Sequence, residues 1–394
     1  MKSSTEIRTR AMTLERIDTH SHFQAEIPDL SEAAKLFADF IEMPYMVDSR
    51  LCATGCRKLY GIDPGLFLRS DAPPALFDAA ASLRARGPGP ALECALDAEG
   101  ITTQFCFSGP KPEECPLAGF SSRVRLLAYV DPLICGNDFA FCPDGSTMAF
   151  NYYESLCGHF GPLTSIDDYL GAIDAGIDAW RKHGVVGMKT ALAYTVGLHF
   201  SDPDYGAARA AFGKKADMSS EEVTMVQHYA FRHVLLACKR NAFPVVVHTG
   251  FQIWGHADLQ QSNPILLHNL LIDERYRDNT FVLLHGGNPY IGETTYLARM
   301  FPNVNIDFTW ISWMTQARFR MALSEWLEIV PHGKFCWGSD SNCPESIVGI
   351  GQATRSIIAD VLDELIEHRV LDADLALRFL DLAYLETPKR LFQL

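Results

Sequence analysis

Two histidines stand two positions apart in the stretch Ile17-Asp18-Thr19-His20-Ser21-His22. In an extended strand such residues project from the same face. Two charged imidazoles side by side repel, whereas two neutral ones suit a metal ion, for which imidazole is the commonest ligand. The other reading is one turn cap and one satisfied polar core residue, because His-x-His is a weak motif alone. What the later strands present decides between them.

Four later segments carry a titratable residue at or near their ends: Lys189 in 185–190, His248 in 244–249, His285 in 281–286 and Asp340 in 334–340. A short apolar strand that stops at such a side chain is costly unless something compensates it. With His20 and His22 this makes six residues of ligand type on five strands, a pattern that points to one cation-centred site.

The elements that must position them follow from the apolar runs. Eight segments read as strands: 17–22, 101–107, 124–130, 185–190, 244–249, 281–286, 304–308 and 334–340. Most are short and apolar on both faces, which implies a parallel sheet. Helical stretches separate most of them. Alternation of this kind predicts a (β/α)8 TIM barrel, in which the C-terminal ends of all strands share the rim where chemistry occurs. Residues 24–100 are too long for a strand-to-helix connection and read as a helical cap insertion, broken near 71–74 and 87–90. A second insertion, 133–164, is rich in aromatics, Gly and Cys. Ser165 is a good N-cap for a helix through 183; further helical stretches cover 204–240 and 345–394. No repeat or linker is visible, so 1–394 reads as a single domain.

Composition narrows the partners. With 394 residues, 48% hydrophobic and 21% charged, the chain is of ordinary globular type. A net charge of −14 disfavours nucleic acid and anionic membranes and leaves a small-molecule substrate. Residues 1–16 are polar and lack the apolar core of a signal peptide, and no run is long enough to span a membrane. The eleven cysteines include no Cys-x-x-Cys pair, which suits reduced thiols and a cytoplasmic location. Cys52 and Cys56 have half the spacing of a zinc site but no second half, and read as helix-face residues. A homodimer is expected.

Other polar residues have a bland and a functional reading side by side. Arg57 and Tyr60 in the cap, Tyr194 after Lys189, and Trp310 and Trp313 after the seventh strand are candidates for substrate binding. A solvated face is the more usual explanation of the Arg57–Lys58 pair, and packing on the Trp326 helix explains the tryptophans equally. Glu293 reads as helix N-terminal charge or as support for His285. Arg318 and Arg320 read as a solvated helix face. His256 and His268 read as surface or capping residues. His159, His183, His199, His228, His233, His332 and His368 match no strand end and read as structural. Gly286 and Gly287 read as a tight turn after His285, since no phosphate-binding glycine pattern follows.

The order His-x-His, Lys, His, His, Asp on strands one, four, five, six and eight resembles the amidohydrolase superfamily. The segments 188–198 (MKTALAYTVGL), 248–251 (HTGF), 283–290 (LLHGGNPY) with Glu293, and 337–341 (WGSDS) resemble its amidohydrolase-2 branch. These segments resemble especially the amidohydrolase region fused to glutamine-synthetase-like domains in fungal and plant proteins. No counterpart of that second domain is expected within these residues.

The resemblance implies two arrangements. With one ion, His20, His22, His248 and Asp340 are the ligands, His285 polarises the substrate or moves a proton, and Lys189 meets the substrate as a cation. With two ions, Lys189 is carbamylated and bridges them, and His248 and His285 hold the second. Zinc fits the nitrogen and carboxylate donors first, with manganese or iron as alternatives. The reaction implied is metal-assisted hydrolysis of an amide, lactone or similar C–N or C–O bond, with Asp340, His285 and Lys189 catalytic. The alternative is nonoxidative decarboxylation or uronate isomerisation on the same barrel.

Overall fold

The computed structural model describes residues 4–23, 25–30, 47–64, 73–108, 111, 114–115, 120–136, 151–252 and 258–394. The fold is the expected (β/α)8 barrel, with eight strands hydrogen-bonded in chain order. They are β1 (Arg16–Ser21), β2 (Ile101–Ser108), β3 (Val124–Tyr129), β4 (Gly187–Thr190), β5 (Val245–Val247), β6 (Phe281–Leu283), β7 (Val304–Asp307) and β8 (Phe335–Cys336). Helices Val47–Tyr60, Pro74–Arg84 and Pro88–Glu99 lie in the insertion after β1, and Asp131–Cys135 and Tyr152–Phe160 follow β3. The anticipated break at 87–90 is a helix start: Gly87 has φ +91, and Pro88 takes the first helical position, where its missing N–H is harmless. Among the described residues, no helix is long and apolar enough to cross a membrane, and no disulfide joins two cysteines.

The chain packs as two compact units. The first comprises Met1–Cys106, Pro116–Arg125 and Asp307–Leu394; the second comprises Phe107–Cys115 and Leu126–Ile306.

In the first unit β1 pairs in parallel with β2, and Asp18 stands opposite Gln104. On the other side, Thr19 N–H donates to the Trp337 carbonyl at 2.9 Å. Helix Pro344–Glu367 packs on Val47–Tyr60 at backbone contact. A Cβ on Gly55 would stand 1.9 Å from the Glu345 carbonyl oxygen, and one on Gly349 1.8 Å from that of Leu51. Cys52 and Cys56 lie on this helix as expected, buried against Leu30, Leu76 and Ala80. At the start of β1, Arg16 is fully buried. It pairs with the equally buried Glu99 at 2.5 Å and stacks on the Trp337 ring, 3.8 Å from its centroid. Lys58 and Gln352 also donate to Glu99, at 3.0 and 2.6 Å.

In the second unit β3 to β7 run parallel, and Met188, Val245, Phe281 and Val304 stand opposite one another in turn. Helix Ile166–Lys182 begins at Ser165 with a capping box closed by Asp168; Ser220–Arg240 begins at Ser219 with one closed by Glu222. His228 is buried on the latter helix, and its Nδ1 accepts the Ser201 N–H at 3.1 Å. Burial, then the neighbouring His199 and Arg232, push its pKa down from 6.5 to about 4. The unfolded chain therefore binds a proton near pH 6.5 that the folded chain refuses until about pH 4, so stability falls as pH falls through that window. We expect a loss of about 2 kcal/mol, allowing for solvent screening. Urea midpoints measured between pH 7 and 4 should show it, and His228→Gln should flatten that part of the profile. An unchanged slope in the variant would assign the acid sensitivity elsewhere.

Candidate metal centre

The first unit brings three of the predicted ligands together. His20 Nε2 and His22 Nε2 each lie 3.1 Å from the same oxygen, Oδ1 of Asp340. The rings are 5.4 Å apart, centroid to centroid. Donor atoms of the three residues all lie within 4.8 Å of one another, and among the described residues they form the one such group of three or more. Tetrahedral ligands about 2.1 Å from an ion stand about 3.4 Å apart. Two imidazole nitrogens and a carboxylate oxygen at these spacings therefore fit a divalent cation. The His20 side chain is wholly buried and that of Asp340 nearly so, while His22 is 51% exposed and faces solvent.

Local backbone produces this meeting. β1 ends at Ser21, one residue short of His22, and β8 ends at Cys336, four residues short of Asp340. The sequence reading carried both strands too far. After Cys336 the chain leaves extended geometry, and Asp340 has φ +48, a left-handed conformation rare for a residue with a side chain. Its N–H donates to the His20 carbonyl at 2.7 Å. Gly338 lies against β1 so closely that a Cβ there would stand 2.6 Å from that of His20. Burial works against the Asp340 charge, but the two imidazoles outweigh it and hold its carboxyl well below the usual carboxylate range.

Asp18 and Asp307 are buried carboxylates on or against the strand that carries His20, neither singled out from the sequence. Asp18 accepts from the N–H groups of His20 and Ser339, the Ser339 hydroxyl and Gln104 Nε2. Asp307 accepts from the Thr19 hydroxyl at 2.7 Å and from Thr309 N–H at 2.8 Å. Burial pushes both up to about 6, against their hydrogen bonds. Asp18 has the same strand parity as His20 and His22, so the rule that picked out the histidines applied to it too.

The second unit holds the other three predicted residues. His285 Nε2 lies 3.0 Å from His248 Nδ1, and His248 Nε2 lies 2.9 Å from the Phe251 carbonyl. A carbonyl only accepts, so Nε2–H of His248 donates to it; a neutral His248 then accepts the Nε2–H of His285. His285 follows β6 by two residues with φ +65, and Gly286 and Gly287 continue the left-handed turn at +59 and +68, as their sequence suggested. The Tyr194 ring lies 4.5 Å from that of His248. Lys189, 4% exposed at the end of β4, holds its ammonium 4.6 Å from the centre of the Phe107 ring. Its charge helps to keep Asp131 ionised, while burial pushes that carboxyl up to about 6. Asp131 also accepts from the Thr190 hydroxyl and Ala191 N–H. Its place just after β3 is the signal that could have found it.

Arg57 pairs with Asp63 at 3.0 Å, both exposed. The Tyr60 hydroxyl donates to the buried Glu345 at 2.5 Å, and Arg84 pairs with the same carboxylate at 2.7 Å. Trp310 and Trp313 are buried. Trp313 lies in the short helix Ile311–Met314, which packs on Gln316–Ile329 and Pro344–Glu367. Glu293 sits in the first turn of its helix, 3.5 Å from Asn263 Nδ2. Arg320 pairs with Asp360 on the surface. His233 pairs with Asp174, His332 contacts the Leu327 carbonyl, and His268 packs edge-on to Phe301. His256 lies outside the described residues.

A barrel of this topology that brings His20 of β1 together with His22 and Asp340, just past the ends of β1 and β8, has the form of a barrel enzyme with a candidate metal site. The chain belongs to the amidohydrolase-2 family: the family model, described as Amidohydrolase, matches residues 158–371, just over half of the chain. The matched segment holds Lys189, His248, His285 and Asp340; His20 and His22 lie upstream of it. The chain is 26% identical over 233 residues to Protein fluG of Emericella nidulans, an alignment that covers 55% of this chain and 25% of that protein. It thus spans about a quarter of the length of this relative. Among solved structures, one from Lactobacillus casei described as a metal-dependent hydrolase superposes with a TM-score of 0.74 at 16% identity, covering 98% of this chain and 97% of the other. A uronate isomerase from Bacillus halodurans superposes with a TM-score of 0.72 at 14% identity, covering 100% and 97%. A glucuronate isomerase from Caulobacter crescentus gives 0.70 at 14%, covering 99% and 93%. At such identities these three share the fold.

Proposed function

We propose that the protein is a metal-dependent hydrolase that cleaves an amide, lactone or related C–N or C–O bond of a small molecule. The observation that carries this reading is the convergence of His20 Nε2 and His22 Nε2 on Asp340 Oδ1. The three residues would hold a divalent cation, zinc before manganese or iron by their donor types. Such a cation supplies Lewis acidity: it polarises a carbonyl and brings the pKa of water towards neutrality.

The chain's own residues do the rest. Asp340, whose Oδ1 stands 3.1 Å from both imidazoles, is the carboxylate that would accept a proton from the attacking water and return it to the leaving group. His20 and His22 fix the position of that carboxylate. The family resemblance implies catalytic parts for His248, His285 and Lys189. The hydrogen-bond chain from His285 through His248 to Phe251 fixes the ring orientations and the site of the His285 proton. Tyr194, against His248, is the substrate-binding candidate with the clearest contact to this group.

A second reading, isomerisation of a uronic acid, draws on the isomerases that share the fold. One experiment separates them. Zinc- or manganese-loaded protein is offered N-acyl amino acids, lactones, glutamyl amides, uronates and aromatic acids in water enriched in oxygen-18. Hydrolysis places the label in the product acid. Interconversion of a uronate without cleavage, or release of CO2 from an aromatic acid, would replace the proposed reaction with isomerisation or decarboxylation.

A further inference from the structure

We propose that Asp18 is a positioning residue for the ligand cluster: its carboxylate clamps the turn before Asp340 to the strand that carries His20. The inference rests on the reading of His20, His22 and Asp340 as a cation site, and deepens it.

Three observations meet at this point. The first is saturation. An ionised carboxylate offers about four acceptor positions. Asp18 fills them with His20 N–H at 3.2 Å, Ser339 N–H at 2.9 Å, Ser339 Oγ at 2.6 Å and Gln104 Nε2 at 2.9 Å. It is wholly buried, and its acceptor capacity is spent within the protein. Its influence therefore runs through the groups it holds.

The second is which groups these are. Two of the four donors belong to Ser339, the residue before Asp340, and a third is the backbone of His20 itself. Gln104, its register partner on β2, anchors the carboxylate from the far side. The clamp thus ties one ligand's backbone to the neighbour of another.

The third is the conformation that the clamp maintains. Asp340 sits at φ +48, which a residue with a Cβ adopts only when its surroundings over-determine it. Gly338 permits the close approach, with space for no Cβ beside His20. The Asp340 N–H bond to the His20 carbonyl closes the turn from one side, and Asp18 closes it from the other. Released from Asp18, the turn is free to relax towards ordinary φ, which swings the Asp340 carboxylate away from the two Nε2 atoms.

The test measures metal affinity and ligand geometry directly. Zinc affinity is obtained by competition with a chromophoric chelator, and cobalt-loaded protein reports the ligand field through its visible absorption. Asp18→Asn should weaken zinc binding about 10- to 100-fold, the usual effect of losing a group that orients a ligand, and should alter the cobalt spectrum. The second substitution in Asp18→Asn with Gln104→Glu returns an acceptor for the new amide, so the pair should recover much of the lost affinity. Glu99→Gln is the control for general destabilisation: that carboxylate meets Arg16 at the other end of β1, and its loss should leave affinity and spectrum unchanged.

Wild-type affinity and spectrum in folded Asp18→Asn would overturn the proposal. So would an equal loss in Glu99→Gln, which would make the effect one of stability. Should the Asp18 variants fail to fold, Ser339→Ala removes one of the two Ser339 bonds, and an unchanged cobalt spectrum there overturns it as well. A wild-type protein that binds neither zinc nor cobalt would sink the cation site itself, which is a different failure.

Discussion

Asp340→Asn should abolish turnover and metal binding while leaving the barrel folded. The substitution keeps the volume and one carbonyl-type acceptor, so His20 and His22 still find a partner in the metal-free protein. What it removes is the charge that a divalent cation needs from its ligands and the basicity that water activation needs. Loss of a general base alone reduces rate by about 10^2 to 10^4, and loss of a ligand adds to it, so activity should fall at least about a thousandfold. Metal binding gives a second readout. Zinc at 100 times its Kd should add about 2.7 kcal/mol to wild-type stability and almost nothing to the variant. His22→Ala should lose the same stabilisation without loss of intrinsic stability, because that ring is half exposed. His20→Ala should lose intrinsic stability too, because its ring is wholly buried. Stoichiometric zinc and normal turnover in Asp340→Asn would remove the basis of the proposed chemistry.

The meeting of His20, His22 and Asp340 was legible because short-range rules mark strand ends and a barrel brings those ends to one rim. Side chains alternate along a strand, so His20 and His22 share a face; titratable residues after apolar runs mark strand ends. Those rules place residues to within a turn and do not give strand lengths. β8 is only Phe335–Cys336, and the reason is a contact with a distant element, the press of Gly338 on His20, followed by the left-handed Asp340. Residues whose partners are remote were harder to read. Tyr60 stands beside a basic pair and suggested a substrate contact, yet its hydroxyl goes to Glu345, 285 positions away. Glu99 ends the helix Pro88–Glu99 on the face of Leu92, Ala95 and Leu96, but nothing local names its partners. Its burial depends on Arg16, 83 positions before it, and on Arg355, 256 positions after it. No local pattern encodes such a meeting.

Glu99 accordingly carries the second large expectation. Glu99→Ala should lower stability by about 3–5 kcal/mol, the range for breaking a buried ion pair from one side. The Arg16 guanidinium would remain at zero exposure against Trp337, with one long bond of 3.4 Å to the Gly351 carbonyl. Arg355 adds to the penalty. Burial, then the Arg16 charge, push its pKa down to about 10, and Glu99 is the anion that opposes this. Lys58 and Gln352 would lose their acceptor as well. Urea unfolding followed by circular dichroism checks the magnitude, and Glu99→Gln separates charge from shape. The double replacement Arg16→Met with Glu99→Leu should be less harmful than Glu99→Ala alone, because it removes the unpaired charge together with its partner. If Glu99→Ala unfolds at the wild-type urea concentration, the cluster contributes little. If the double variant is worse than the single, its value lies in packing on Trp337 and not in charge. Either way the damage should stay at the amino-terminal end of β1. His20 lies at the other end of that strand, so the folded fraction of Glu99→Ala should bind zinc as the wild type does.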